Sequence, residues 1–101
     1  MIVNEKNVGE KIAYRLDGNK IYFGADEDIM LNIRNYERDA DVQLNVCMDY
    51  DRLLVTDLSV YYVAQITIPA RNYGENNDPI AFSMDACTLD LWSIEVPANE
   101  V

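Results

Sequence analysis

Three pairs of aspartates, each pair separated by one residue, are the side chains in this 101-residue sequence that come closest to a recognisable chemical pattern. Carboxylate oxygens suit Ca²⁺, but no pair continues into a calcium-binding loop with its glycine and closing glutamate. Aspartates at turn entrances commonly accept hydrogen bonds from their own backbone, and we favour that role. We therefore predict no metal site. The pairs are Asp26 and Asp28, Asp39 and Asp41, and Asp49 and Asp51.

The composition excludes several kinds of catalytic and cofactor site. The sequence contains no histidine, which removes Ser-His-Asp and Cys-His catalysis and histidine metal ligands. Its two cysteines cannot supply the four ligands of a structural zinc site. The four glycines lie far apart, so no glycine-rich phosphate-binding loop can be placed. We predict no catalytic residues, no cofactor and no enzymatic activity.

The two cysteines, Cys47 and Cys87, also bear on the compartment. The sequence opens without a basic segment followed by a long apolar stretch, so no secretory signal is recognised. Without such a signal, two thiols are more typical of a reducing compartment than of a disulfide. No segment approaches the ~18 apolar residues of a membrane helix. We expect a cytoplasmic protein with reduced thiols and no membrane contact.

The charge balance argues against direct binding to nucleic acid. There are 18 acidic and 8 basic side chains, giving a formal net charge of −10. Nucleic-acid binding depends on lysine and arginine neutralising phosphates, and anionic membrane surfaces attract the same basic residues. We therefore expect neither nucleic acid nor a membrane surface as a direct partner.

The same acidic pairs support an alternative function. Residues i and i+2 of a strand point the same way and lie roughly 6.6–6.8 Å apart, a spacing loosely comparable to successive phosphates. A face formed by Asp26, Asp28, Asp39, Asp41, Asp49 and Asp51 would then imitate nucleic acid and occupy a basic cleft on a DNA-binding protein. Solubility of a half-apolar chain is the simpler explanation of this charge.

The N-terminal third predicts a hairpin followed by an ambiguous segment. Ile12, Tyr14 and Leu16 alternate with polar or small residues, and residues 20–23 continue after an Asp-Gly-Asn turn. Residues 26–40 fit either an amphipathic helix or a strand, because apolar residues occur at both spacings. We favour a strand over residues 29–34.

The remaining pattern is that of further strands. Alternation predicts strands over 42–48, 53–56, 58–68, 80–82 and 88–96, with a helical turn at 83–86 and a bulge near Trp92. Residues 71–79 are expected to be a flexible loop, and 1–10 and 97–101 loosely ordered ends. We predict a mainly β protein. Residues 1–101 would form a single domain, an antiparallel β-sandwich or curled sheet of about seven strands, with or without one short helix.

Aromatic residues provide the candidate interaction sites. The default core consists of Tyr14, Phe23, Tyr62, Phe82 and Trp92. Tyr61 and Tyr62 point to opposite faces of one strand, so at least one should meet another layer or chain. We take Tyr61, Tyr62, Tyr73 and Trp92 as candidate interaction residues.

The leading functional hypothesis is a non-enzymatic structural or protein-interaction module. Apolar strands with exposed edges commonly assemble, so we expect a homo-oligomer or a protein partner. Small acidic β proteins of this type are common among the accessory proteins of bacteria and their phages, which is an association only.

Overall fold

The chain folds into two open sheets in a computed structural model that describes residues 1–49, 51, 53–56, 59 and 61–95. The mainly β prediction is confirmed, whereas the predicted loose end at 97–101 lies outside the described residues. The strands are β1 (Ile2–Glu5), β2 (Tyr14–Asp17), β3 (Lys20–Phe23), β4 (Ile29–Asn32), β5 (Val42–Met48), β6 (Leu54–Val55), β7 (Tyr61–Ile68) and β8 (Thr88–Leu91).

The smaller sheet has the strand order β2-β3-β4 and contains the predicted hairpin. Gly18 and Asn19 form a two-residue turn, in which Gly18 has a φ of 59° and the φ of Asn19 is not positive. These φ signs are those of a type II′ turn, which matches the right-handed twist of paired strands. The preference for a strand after residue 28 is confirmed by β4, although the chain then turns into a 3₁₀-helix at Ile33–Tyr36.

The larger sheet has the order β1-β8-β7-β5-β6 and departs from the prediction at one edge. Strand β1 pairs with β8 in parallel, whereas every other strand pair in the described structure is antiparallel. Alternation does not reveal this strand, and the sequence predicts only a loosely ordered end over residues 1–10. The hydrogen bonds from Ile2 N to Cys87 O and from Lys6 N to Leu91 O anchor this segment at both ends of β1.

One hydrophobic core joins the two sheets. Each sheet turns its apolar face inward, and the sheets share a single cluster of buried side chains. Packing two apolar faces together removes both from water, which is the main favourable contribution in a sandwich of this size. The largest fully buried members are Phe23, Ile21, Ile33, Ile66, Ile68 and Leu89.

The predicted aromatic core is only partly correct. Phe23 is fully buried and Phe82 packs against the core from a half-buried position. Tyr14 and Tyr62 are exposed, and Trp92 is half-buried outside the cluster. The prediction was wrong for Tyr14 because β2 is an edge strand that the larger sheet does not cover fully.

The segment between β7 and β8 differs in part from the prediction. Residues 80–82 form no strand, because the chain there runs as loop between the Tyr73–Pro79 bridge and a 3₁₀-helix. That 3₁₀-helix, Met84–Ala86, is the predicted helical turn, although the Ser83 side chain does not cap it. Another short helix, at Glu75–Asn77, lies within the 71–79 loop, whose predicted flexibility stays a prediction.

A β-bulge at Val63 decides which way the aromatic residues of β7 point. Val46 pairs with Ala64 but Cys47 pairs with Tyr62, so Val63 is the extra residue. Because side chains alternate along a strand, the extra residue places Tyr62 and Ala64 on opposite faces. Without the extra residue, Tyr62 and Ala64 would lie on the same face, which is why the sequence predicts a buried Tyr62.

The hairpin turn provides a test of this local geometry. We expect Gly18→Ala to lower the free energy of unfolding by about 1 kcal/mol, because a β-carbon disfavours the left-handed backbone that Gly18 adopts. Gly74→Ala is the matched control, since Gly74 has a φ of −87° and a β-carbon added there would lie 3.8 Å from its nearest neighbouring atom. Urea unfolding followed by Trp92 fluorescence measures both variants. Equal losses would contradict the assigned turn.

Candidate interaction surfaces

Tyr62 and Trp92 form an aromatic pair on the outer face of the larger sheet. Their ring centroids lie 5.8 Å apart with an interplanar angle of 40°. The bulge turns Tyr62 outward, and Trp92 follows Leu91, whose side chain faces the core. The Trp92 backbone N–H donates to the carbonyl of Val63, so the bulge also fixes the end of β8 beside β7. Tyr62 remains 45% exposed, which makes this pair an available apolar contact.

The other two candidate aromatic residues lie elsewhere. Tyr61 pairs with Met48 and packs against the core, on the face opposite Tyr62. Tyr73 is exposed and its hydroxyl donates to the carboxylate of Asp39, which also accepts from Arg71. The four predicted interaction residues therefore do not form one surface, and only Tyr62 and Trp92 are brought together.

Cys47 lies opposite Tyr62 on the neighbouring strand β5. It is fully buried, yet it is not a member of the hydrophobic cluster between the sheets. Its register partners are Tyr62 on β7 and Val55 on β6, which places its side chain on the outer face. Side chains directly opposite each other on antiparallel strands have β-carbons about 4.5–5.5 Å apart, so Tyr62 is the large neighbour that we expect to shield Cys47 on this face.

The two cysteines are free thiols, as expected. Cys47 lies level with Tyr62, whereas Cys87 immediately precedes the Thr88–Thr67 pair near the other end of β7. Five to six residues of strand separate these positions, or roughly 17–20 Å, far beyond disulfide reach. Burial raises the pKa of the Cys87 thiol above its ordinary value, so this thiol stays protonated and poorly nucleophilic at neutral pH.

The six aspartates of the predicted acidic face all lie outside the strands, in turns and connections. Asp49 accepts hydrogen bonds from the backbone N–H groups of Asp51 and Leu53, and Asp41 accepts one from Ala70. Asp26 and Asp28 are exposed in the β3–β4 connection. Asp41 and Asp49 flank opposite ends of β5.

This placement removes the strand spacing on which the mimicry hypothesis is based. It agrees instead with the turn-forming role that we favour for aspartate. Within the described residues, no three cysteine or acidic side chains are grouped closely enough to hold a metal ion.

The surface that sequence reasoning missed is the edge strand β2. All four of its residues are exposed, including the large apolar side chains of Leu16 and Tyr14. An alternating apolar pattern predicts one buried face, and it carries no information about whether another strand or sheet covers that face.

Arg15 is held in place on the other side of β2. Its Nε donates to a Glu27 carboxylate oxygen at 2.6 Å, and its guanidinium carbon lies 4.2 Å from the centre of the Tyr22 ring. This hydrogen bond holds the pKa of Glu27 below its ordinary value. Asp17 extends from the same side of β2, because residues i and i+2 of a strand point the same way.

Comparison with protein-family models, curated proteins and solved structures finds no match to this chain. Within the described residues, no helix has the length and apolar character needed to cross a membrane.

The outward direction of the Tyr62 side chain can be tested by the reactivity of the Cys47 thiol. We expect Tyr62→Ala to raise the rate of Cys47 alkylation at least tenfold in the folded protein, because the substitution removes its cover, while Cys87 stays protected. Tyr73→Ala is the matched control, because Tyr73 is also 45% exposed but lies in the loop bridged to Pro79, where its hydroxyl donates to Asp39. Peptide mass spectrometry after timed alkylation assigns each thiol. Unchanged Cys47 reactivity in Tyr62→Ala would contradict the outward facing of Tyr62.

Proposed function

We propose that this protein is a non-enzymatic structural module that associates with further copies of itself. The observation that carries the proposal is the exposure of large apolar side chains on edge strands of both sheets. Ile2 on β1 is 55% exposed and Leu16 on β2 is 43% exposed. Edge strands present unpaired backbone N–H and C=O groups, and proteins that remain monomeric commonly protect such edges with charge, proline or bulges.

The outer face of the larger sheet supports a role that does not depend on catalysis. Its polar side chains bond to one another across the strands, with Asn4 donating to Asp90 and Gln65 donating to Asn45. Amides and carboxylates satisfied in this way stabilise the pairing of neighbouring strands. They are not arranged as an acid, a base and a nucleophile around a cleft.

We place this module in the cytoplasm, which is a proposal drawn from the thiol chemistry. Both cysteines are free thiols. Their register positions lie near opposite ends of β7, too far apart for a disulfide within one chain. Exposure to an oxidising compartment offers such a chain no stabilising disulfide. A role among the accessory proteins of bacteria or phages is compatible with a small acidic assembly module.

Self-association is preferred to nucleic-acid mimicry for a geometric reason. Mimicry needs carboxylates grouped at regular spacing, whereas those of Asp41 and Asp49 are already engaged by backbone N–H groups at opposite ends of β5. Self-association needs an open apolar edge, and among the described strands β2 pairs with β3 alone and leaves its other edge open.

Sedimentation velocity over a wide concentration range tests the proposed function. A chain of 11.6 kDa is expected to show a weight-average mass that rises with concentration towards at least twice that value. Reversible dilution back to one copy distinguishes association from aggregation. A single-copy mass at every concentration, up to the millimolar range, would contradict the proposal.

A further inference from the structure

The outward edge of β2 has a defined hydrogen-bonding pattern. Ala13 O accepts from Gly24 N at 2.8 Å, so Ala13 directs its backbone groups towards β3. In an antiparallel pair, alternate residues bond to the neighbour, and those between them point their N–H and C=O groups away. Arg15 and Asp17 therefore bond to β3, while Tyr14 and Leu16 present their backbone groups outward.

The side chains of β2 add a charge pattern to this edge. Arg15 and Asp17 share one side of the strand, and Leu16 lies between them on the other side. A strand that pairs with this edge in antiparallel orientation must present an acid opposite Arg15 and a base opposite Asp17. The β2 sequence itself meets both requirements when it runs in the opposite direction.

We propose that β2 pairs with β2 of a second copy of this chain, antiparallel and with the two-fold axis at Leu16. Leu16 of each copy then donates to and accepts from Leu16 of the other. Arg15 faces Asp17 of the second copy, twice by symmetry, and Tyr14 faces Gly18. The two three-stranded sheets become one continuous six-stranded sheet. This inference rests on the proposed self-association and specifies its surface.

The alternative registers that keep the same outward backbone groups are less favourable. An axis at Arg15 places two guanidinium groups opposite each other, and like charges in cross-strand positions are destabilising. An axis at Tyr14 places Arg15 opposite Ala13 and Asp17 opposite Lys11, which is already bridged to Ser93, and it requires the buried residue Ile12 to face Leu16. The axis at Leu16 is the register that pairs both charges.

The side chains at this axis are free to make the proposed contacts. The hydrogen bond to Glu27 uses Nε of Arg15, which leaves the two terminal Nη groups to donate to a second carboxylate. A β-carbon placed on Gly18 would meet no atom within 4 Å, so there is open space for a Tyr14 ring from the other copy. Four residues of strand make a small interface, and we expect a dissociation constant in about the micromolar range.

Charge reversal tests the register. Arg15→Glu and Asp17→Lys should each weaken dimerisation at least tenfold in sedimentation velocity, because each places like charges opposite one another. An equimolar mixture of the two variants should form a heterodimer, since each new charge then faces an opposite charge. The double variant Arg15→Glu/Asp17→Lys should dimerise by itself for the same reason. Native mass spectrometry identifies the heterodimer by its mass.

Lys6→Glu is the matched control, because it makes the same change in net charge as Arg15→Glu on an exposed residue outside β2. It should leave dimerisation unchanged. Single variants that associate like the wild type would overturn this interface while leaving self-association in place. Single variants that stay monomeric when mixed, or equal weakening by Lys6→Glu, would overturn the register. A wild type that is monomeric throughout would overturn the proposed function as well.

Discussion

The structure depends on the burial of one face of each sheet against the other. Neither the five-stranded nor the three-stranded sheet can remove its apolar face from water alone, and Phe23 on one sheet and Ile66 on the other are fully buried in the core they share. This arrangement leaves polar outer faces and unclosed edges. The two features that matter for function lie outside this shared core. They are the aromatic pair of Tyr62 and Trp92 and the edge strand β2.

The bulge at Val63 lets both ends of β7 contribute side chains to the core. The strand must present Ala64, Ile66 and Ile68 to the core, and it must also continue to Tyr61, which packs against the same core. One extra residue keeps both ends on the inner face and turns Tyr62 outward. Because Tyr62 points outward, its register partner Cys47 lies beside it on the outer face and outside the main core.

Local patterns predicted most of the observed strands, but they did not predict which segments lie beside them or which faces are covered. The turn at Gly18 and the alternation in β5 followed from sequence, because turn geometry and side-chain period are local properties. The parallel pairing of β1 and the exposure of Tyr14 did not, because each depends on which distant segment lies alongside. The candidate residues Tyr62 and Trp92 were identified from sequence, whereas the edge formed by β2 became visible only once the strand order was known.

Amide hydrogen exchange followed by NMR tests most directly whether β2 is an open edge. At low protein concentration, the amides of Arg15 and Asp17 should exchange slowly because they bond to β3, while those of Tyr14 and Leu16 should exchange at nearly unprotected rates. Raising the concentration should slow the exchange of Tyr14 and Leu16 selectively. Equal protection of all four amides at low concentration, or exchange at Leu16 that is independent of concentration, would contradict the open edge and its pairing.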